Sequence, residues 1–171
     1  MIYDADAWLG QGRVDSLVVG LDVAFVPTPK KIVRTMLELA CLRRGETLID
    51  LGAGDGRIII EAVRSFGAHA IGVEVDPVRI SRMKERLAAT GTKAELVQAD
   101  IFATRLSPAE VITIYLSPTA NRRLVPKLNA EAAKGTRIVS LDYPLPEWKA
   151  EREVVVKASG IERKLYLYKV A

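Results

Sequence analysis

Apolar residues recur along this chain in short blocks that alternate between a helical spacing and near-continuous runs, with single Gly and Pro residues at the breaks. Residues 1–26 carry no period and read as a lead segment, for which Trp8, Leu17, Val18, Val19 and Leu21 predict partial ordering. Thr28-Pro29 then offers an N-cap followed by proline at the first helical position. The helix it opens is expected to reach about Leu42, since Ile32, Val33, Met36, Leu37 and Ala40 share one face. Arg43, Arg44 and Gly45 supply its stop signal. Thr47 to Leu51 reads as a buried strand, the Gly-rich stretch GAGDG follows, and Arg57 to Phe66 reads as a helix. His69 to Val75 predicts a second strand, and Asp76-Pro77 caps a helix that lasts to about Thr90 and ends at Gly91. Ala94 to Ala99, Val111 to Leu116 and Thr136 to Leu141 read as three more strands, with a helix starting at Ser117-Pro118. Arg152 to Ala158 and Ile161 to Val170, joined by Ser159-Gly160, read as an antiparallel hairpin.

Strands alternating with helices imply a mainly parallel sheet with right-handed crossovers. The expected fold is therefore α/β, a Rossmann-like doubly wound sheet, mostly parallel, with an antiparallel hairpin at its C-terminal end. With 171 residues, 49% of them hydrophobic, the chain fits one domain, 1–171, in which 1–26 form a lead or lid and 27–171 the core.

Composition narrows the chemistry. One cysteine, Cys41, and one histidine, His69, cannot build an internal disulfide or a Cys/His metal cage, so no metal is expected. Hydrolase arrangements that need histidine survive only if His69 sits in the site. No apolar run approaches the roughly 18 residues that span a bilayer, and the start MIYDADAWLG resembles neither a signal nor a transit peptide. A cytoplasmic location without membrane contact is expected. The net charge of +4 falls short of a nucleic-acid-binding stripe, and two Asn with two Gln beside abundant Arg, Lys and Glu lean towards a thermophile.

The loop Leu51-Gly52-Ala53-Gly54-Asp55-Gly56 follows the first strand, at the end where an open parallel sheet binds its ligand. It reads GxGxG rather than GxGxxG, with Asp50 ahead of it and Asp55 within it, and two carboxylates repel a pyrophosphate. They suit a cationic ligand such as S-adenosylmethionine, whose carboxylate would take the loop's backbone N–H groups. Glu74 ends the second strand 22 residues after Gly52, where an acid accepts ribose hydroxyls. Asp100 closes the third, where its side chain addresses an adenine amino group and the Ile101 backbone the ring. No GxxxxGK[ST] is present, so the phosphate-binding P-loop reading is excluded.

These stretches, LIDLGAGDGR, IGVEVDP and LVQADIF, resemble the cofactor motifs of class I, seven-strand methyltransferases that use S-adenosylmethionine. More narrowly, Phe25-Val26-Pro27-Thr28-Pro29, ITIYLSPTANRRLVPKL and GTRIVSLDYPLPEW resemble the small archaeal protein lysine methyltransferases. Mitochondrial relatives of these act on the ATP synthase c subunit and the adenine nucleotide translocase. The resemblance implies that Phe25 to Pro29 form a lid, with Phe25 and Thr28 contacting the cofactor and Thr28 over its methionine end. It places Tyr115 beside the reactive methyl group, and Asp142, Tyr143 and Trp148 along the substrate channel. Tyr115 and Asp142 would then act in catalysis, Asp142 by orienting the substrate ammonium, and Tyr143 and Trp148 would bind the lysine head. Leu141 departs from the pattern, standing where members generally carry His.

The fold alone does not choose a substrate. Tyr115-Leu116-Ser117-Pro118 replaces the Asn/Asp-Pro-Pro-Tyr/Phe segment of enzymes that methylate bases or glutamine. The resemblance implies protein substrates with exposed lysines, this chain's own ten included; a monomer is expected, and the modest charge with no appended RNA-binding domain speaks against a nucleic-acid partner. Two readings stay open beside it: methylation of RNA, DNA or a small molecule, and S-adenosylmethionine binding without catalysis.

Overall fold

Seven strands hydrogen-bond into one sheet in a computed structural model, which describes residues 27–158 and 160–171. They are β1 (Thr47–Leu51), β2 (His69–Glu74), β3 (Glu95–Gln98), β4 (Val111–Ile114), β5 (Arg137–Leu141), β6 (Arg152–Ala158) and β7 (Ile161–Lys169), in the order β3-β2-β1-β4-β5-β7-β6. The first five run parallel, whereas β7 pairs antiparallel with both β5 and β6. The lead segment, Phe25 and the partial ordering expected of the lead lie outside the described residues.

Because strand side chains alternate between faces, the sheet carries two cores. On one, Leu48, Val139, Leu165 and Leu167 meet α1 (Lys30–Leu39), α2 (Arg57–Glu61) and α3 (Pro77–Thr90). On the other, Ile49, Leu51, Ile112, Ile138, Tyr166 and Tyr168 meet α4 (Pro118–Glu131). Asp76 caps α3 by accepting from the Val78 amide at 2.8 Å, and Ser117 caps α4 by accepting from Ala120 at 3.2 Å, as their sequence signals predict.

The first helix departs from its expected bounds at both ends. Thr28 is not its cap: Pro29 stands in that position with extended backbone, no side chain caps the helix, and Thr28 is buried. At the far end the chain leaves the helix at Ala40 and Cys41, the latter left-handed at φ 50°, before Arg43 is reached. The Leu42 amide closes this end on the Leu37 carbonyl at 3.1 Å, and Leu42 is buried. Arg137 of β5 donates to the Ala40 and Cys41 carbonyls, each at 2.9 Å, and so pairs acceptors that a helix end leaves open. The second helix spans the expected residues, but Ala62–Phe66 widen into a π-helical stretch.

Candidate functional site

The order β2-β1-β4 reverses the direction of winding between β1 and β4, and the carboxyl ends of these strands frame a crevice there. His69 starts β2 opposite Thr47, at the far end of the sheet, and exposed Cys41 follows α1. Neither reaches the crevice, so histidine- or cysteine-based nucleophilic schemes are excluded.

Asp50 lies at the end of β1, buried, with its Oδ1 accepting from the Thr113 hydroxyl of β4 at 2.7 Å. Burial pushes its carboxyl up to about 7, the Thr113 bond offsetting this in part and the nearby charges of Glu74 and Asp55 adding to it. A cation placed in the crevice would favour its charged form.

The loop after β1 is braced from within. Gly52 and Ala53 amides both donate to the Val73 carbonyl at 2.9 Å, Gly56 donates to Ala53 at 2.9 Å, and Gly54 donates to Glu74 Oε2 at 3.0 Å. These four donors are occupied, so the expectation that loop amides take the cofactor carboxylate does not hold for them. Gly56 is left-handed at φ 77°, and a Cβ there would stand 2.5 Å from the Met83 side chain, so this position admits only glycine without displacement. Gly52 is left-handed and open to the crevice, with Leu116 beside it.

Glu74 is buried at the end of β2, where its Oε1 accepts from the Val75 and Asp76 amides, each at 3.0 Å. With the Gly54 bond that makes three backbone partners for a carboxylate that offers roughly four acceptor directions. Glu74 therefore ties the Gly loop to the β2–α3 turn, besides facing the crevice. Asp55 is turned away from the role expected of it. Its carboxylate takes Arg57 Nε at 2.9 Å and Nη2 at 2.6 Å, and pairs with Arg86. Burial opposes its ionisation, but the Arg57 hydrogen bond and the charges of Arg57 and Arg86 hold it below the usual carboxylate range. A charge already neutralised by two guanidinium groups adds little attraction for a cationic ligand. Arg57, the last residue of LIDLGAGDGR and given no role by the sequence, also donates to the Thr28 carbonyl at 2.5 Å and so joins the segment before α1 to the Gly loop.

Asp100 is exposed beyond β3, one oxygen accepting from the Phe102 amide at 2.9 Å and the other without that bond, with half-buried Ile101 next to it. Tyr115 extends β4 and packs against the α1–α3 side of the sheet. Its hydroxyl accepts from Arg163 Nη2 at 3.0 Å, and burial raises its pKa, the Arg163 bond opposing the rise. Arg163 Nη1 donates to Asp142 Oδ2 at 2.6 Å. Asp142, expected to orient the substrate ammonium, therefore already has a cation on Oδ2, which offsets most of the charge it could offer an amine. Tyr143 is exposed next to Asp142. Trp148 is a correction: it packs edge-to-face on Tyr168, ring centroids 6.0 Å apart, in the core on the other side of the sheet from Tyr115. Leu141 is fully buried and pairs with Leu165, so this position takes no part in proton transfer.

The donor set fits S-adenosylmethionine. A ligand rich in hydroxyl, amino and cationic groups meets acceptors at three adjacent strand ends, Asp50, Glu74 and Asp100, and meets no phosphate cradle, since four of the loop amides are already bonded. Among the described residues no acidic, histidine and cysteine cluster could hold a metal ion. Residues 50–152 match the family described as the ANTKMT methyltransferase domain. A protein-lysine N-methyltransferase from Saccharolobus islandicus is 37% identical over 149 residues, covering 85% of this chain and 92% of that protein. The adenine nucleotide translocase lysine N-methyltransferase of Mus musculus is 30% identical over 164 residues, covering 95% and 70% respectively. Among solved structures, an RNA methyltransferase from Salinibacter ruber in complex with S-adenosyl-L-homocysteine has a TM-score of 0.79 and 37% identity, over 85% of this chain and 94% of that one.

Proposed function

The chain belongs to the ANTKMT methyltransferase domain family and is an S-adenosylmethionine-dependent methyltransferase, and on that premise we propose that it methylates the side-chain amines of protein lysines. The observation that carries this reading is the corner formed by Tyr115, Arg163 and Asp142, in which the described residues supply a phenol and a neutralised acid but no free base. A hydroxyl or carbon acceptor needs a group to remove its proton during the transfer. An amine needs none at that moment, provided that it arrives unprotonated.

S-adenosylmethionine supplies the activated methyl group when bound. The residues of the chain then have two tasks. Asp50, Glu74 and Asp100 would hold the nucleoside and amino-acid ends, with Thr28 and Arg57 bracing the segment that enters α1. Tyr115 would orient the acceptor nitrogen for in-line attack, which makes alignment the main source of rate. Tyr143, exposed at the mouth, presents an aromatic face to a lysine head. The relatives named above support a protein target, and lysines of this chain are among the candidates. The cytoplasm remains the compartment proposed for the activity.

The likeness to a solved RNA methyltransferase supplies the rival reading. Purified protein incubated with radiolabelled S-adenosylmethionine and a heated cell extract separates the two. We expect label on protein bands, released as methyl-lysine on hydrolysis. Label confined to RNA or to small metabolites overturns the lysine reading.

A further inference from the structure

We infer that Arg163 is a positioning residue of the acceptor corner: by pairing with Asp142 it removes the negative charge that would keep an acceptor amine protonated, and by donating to Tyr115 it fixes the phenolic oxygen against which the neutral amine is aligned. This inference rests on the reading that the acceptor is an amine.

The geometry is built from three separate strands. Arg163 shares a face of β7 with Leu165 and Leu167, an otherwise apolar row in the core under α1 to α3. Its guanidinium spans the carboxylate of Asp142, at 2.6 Å, and the hydroxyl of Tyr115, at 3.0 Å, with Cζ 5.4 Å from the Tyr115 ring centroid. The side chains of Arg163 and Asp142 are each only 18% exposed, so the pair is little screened by solvent. Asp142 is held in left-handed backbone at φ 64°, its amide donating to the Lys164 carbonyl at 2.7 Å, so acid and arginine are locked through adjacent residues. Fully buried Asn121 of α4 anchors the neighbouring Tyr143 backbone, its Nδ2 donating to that carbonyl at 3.0 Å.

A phenolic oxygen has two acceptor directions. Arg163 takes one, which leaves the other for an N–H of the incoming amine. Around this corner, Tyr143 flanks Asp142, Lys157 pairs with Glu162 at 3.0 Å on the hairpin, Lys164 is exposed beside Arg163, and Lys31 of α1 donates to the Lys157 carbonyl at 3.0 Å. Asp142 is thus the carboxylate whose charge Arg163 controls. Freed of its partner, a carboxylate within about 4–6 Å of an amine raises the amine's pKa by roughly 1–3 units. Since only the unprotonated amine attacks, the rate near neutrality falls in proportion.

The test is release of S-adenosylhomocysteine at saturating S-adenosylmethionine between pH 6 and 10, with an N-terminally blocked peptide containing one lysine. Arg163→Gln should move the alkaline midpoint of kcat, measured at saturating peptide, up by about one unit or more, about tenfold in rate at pH 7. Arg163→Lys, which keeps the charge, should leave the midpoint near that of the wild type. The double variant Arg163→Gln, Asp142→Asn should return it while kcat stays reduced, because the phenol has lost its fixed donor. Cofactor affinity, measured in parallel, should be retained by all three and reports that they fold. An unmoved midpoint in Arg163→Gln, or an equal shift in Arg163→Lys, overturns the inference with an active wild type in hand. A wild type inactive on the peptide overturns the amine reading and this inference together.

Discussion

Asp50 shows how a single residue serves the ligand at the expense of the empty fold. Its carboxyl is raised from an ordinary 3.8 to about 7 chiefly by burial, so between those values the folded chain binds more protons than the unfolded one. The contribution of Asp50 to stability is then greatest below about pH 4 and declines as pH rises towards about 7, at up to about 1.4 kcal/mol per pH unit. Asp50→Asn removes that decline. In urea unfolding, the variant should gain on the wild type between pH 5 and pH 8, while its response to cofactor weakens. A constant difference across that range would mean that the carboxyl is ionised throughout. The acid itself was legible, because its place before the Gly loop marks a strand end. Its partner was not, since Thr113 lies 63 residues away and is brought alongside only by the pairing of β1 with β4. Asp55 and Trp148 misled for the same reason. Nothing local in GAGDG reveals that Arg86, on α3, completes a cage around the Asp55 charge, or in PLPEW that Trp148 turns to the Tyr168 side.

Among the elements, β2, α3, α4 and the β6–β7 hairpin carry their own signals, and the start of α4 and the bounds of the others agree with the sequence to within a residue or so. Asp76-Pro77 and Ser117-Pro118 place a side-chain acceptor and a pre-set φ where a helix needs both. The first helix is ended by tertiary means instead. Arg137 donates to two of its terminal carbonyls and, through Nη2, to Glu46 at 2.6 Å. Arg137→Ala leaves three acceptors without that donor, two of them in partly buried bonds, and we expect a loss of about 1–3 kcal/mol. Arg137→Lys should restore little, because a point charge cannot span both ends. A lowered denaturation midpoint at unchanged slope is the reading to look for; no change in either variant would mean that water satisfies these carbonyls equally well.

For the whole molecule, the crevice joins β1, β2 and β4 with the segments after them, so a ligand bound there stabilises the folded chain as a unit. S-adenosylhomocysteine at a hundred times its Kd contributes about 2.7 kcal/mol, which for a chain of this size raises Tm by roughly 5–10 °C. Differential scanning fluorimetry measures this directly, and a shift absent at saturating product would contradict the placement of the cofactor. Local sequence was enough to specify the succession of strands and helices, the acids at the strand ends and the cofactor they imply, because periodicity, caps and charge are properties of neighbouring residues. It took the folded chain to establish that β4 lies beside β1, that the loop amides are used internally, and that Arg163 of the last strand joins Tyr115 to Asp142. The side-chain contacts among these connect residues from 20 to 63 positions apart, and a pairing across such distances depends on how the sheet is ordered, which no local pattern encodes.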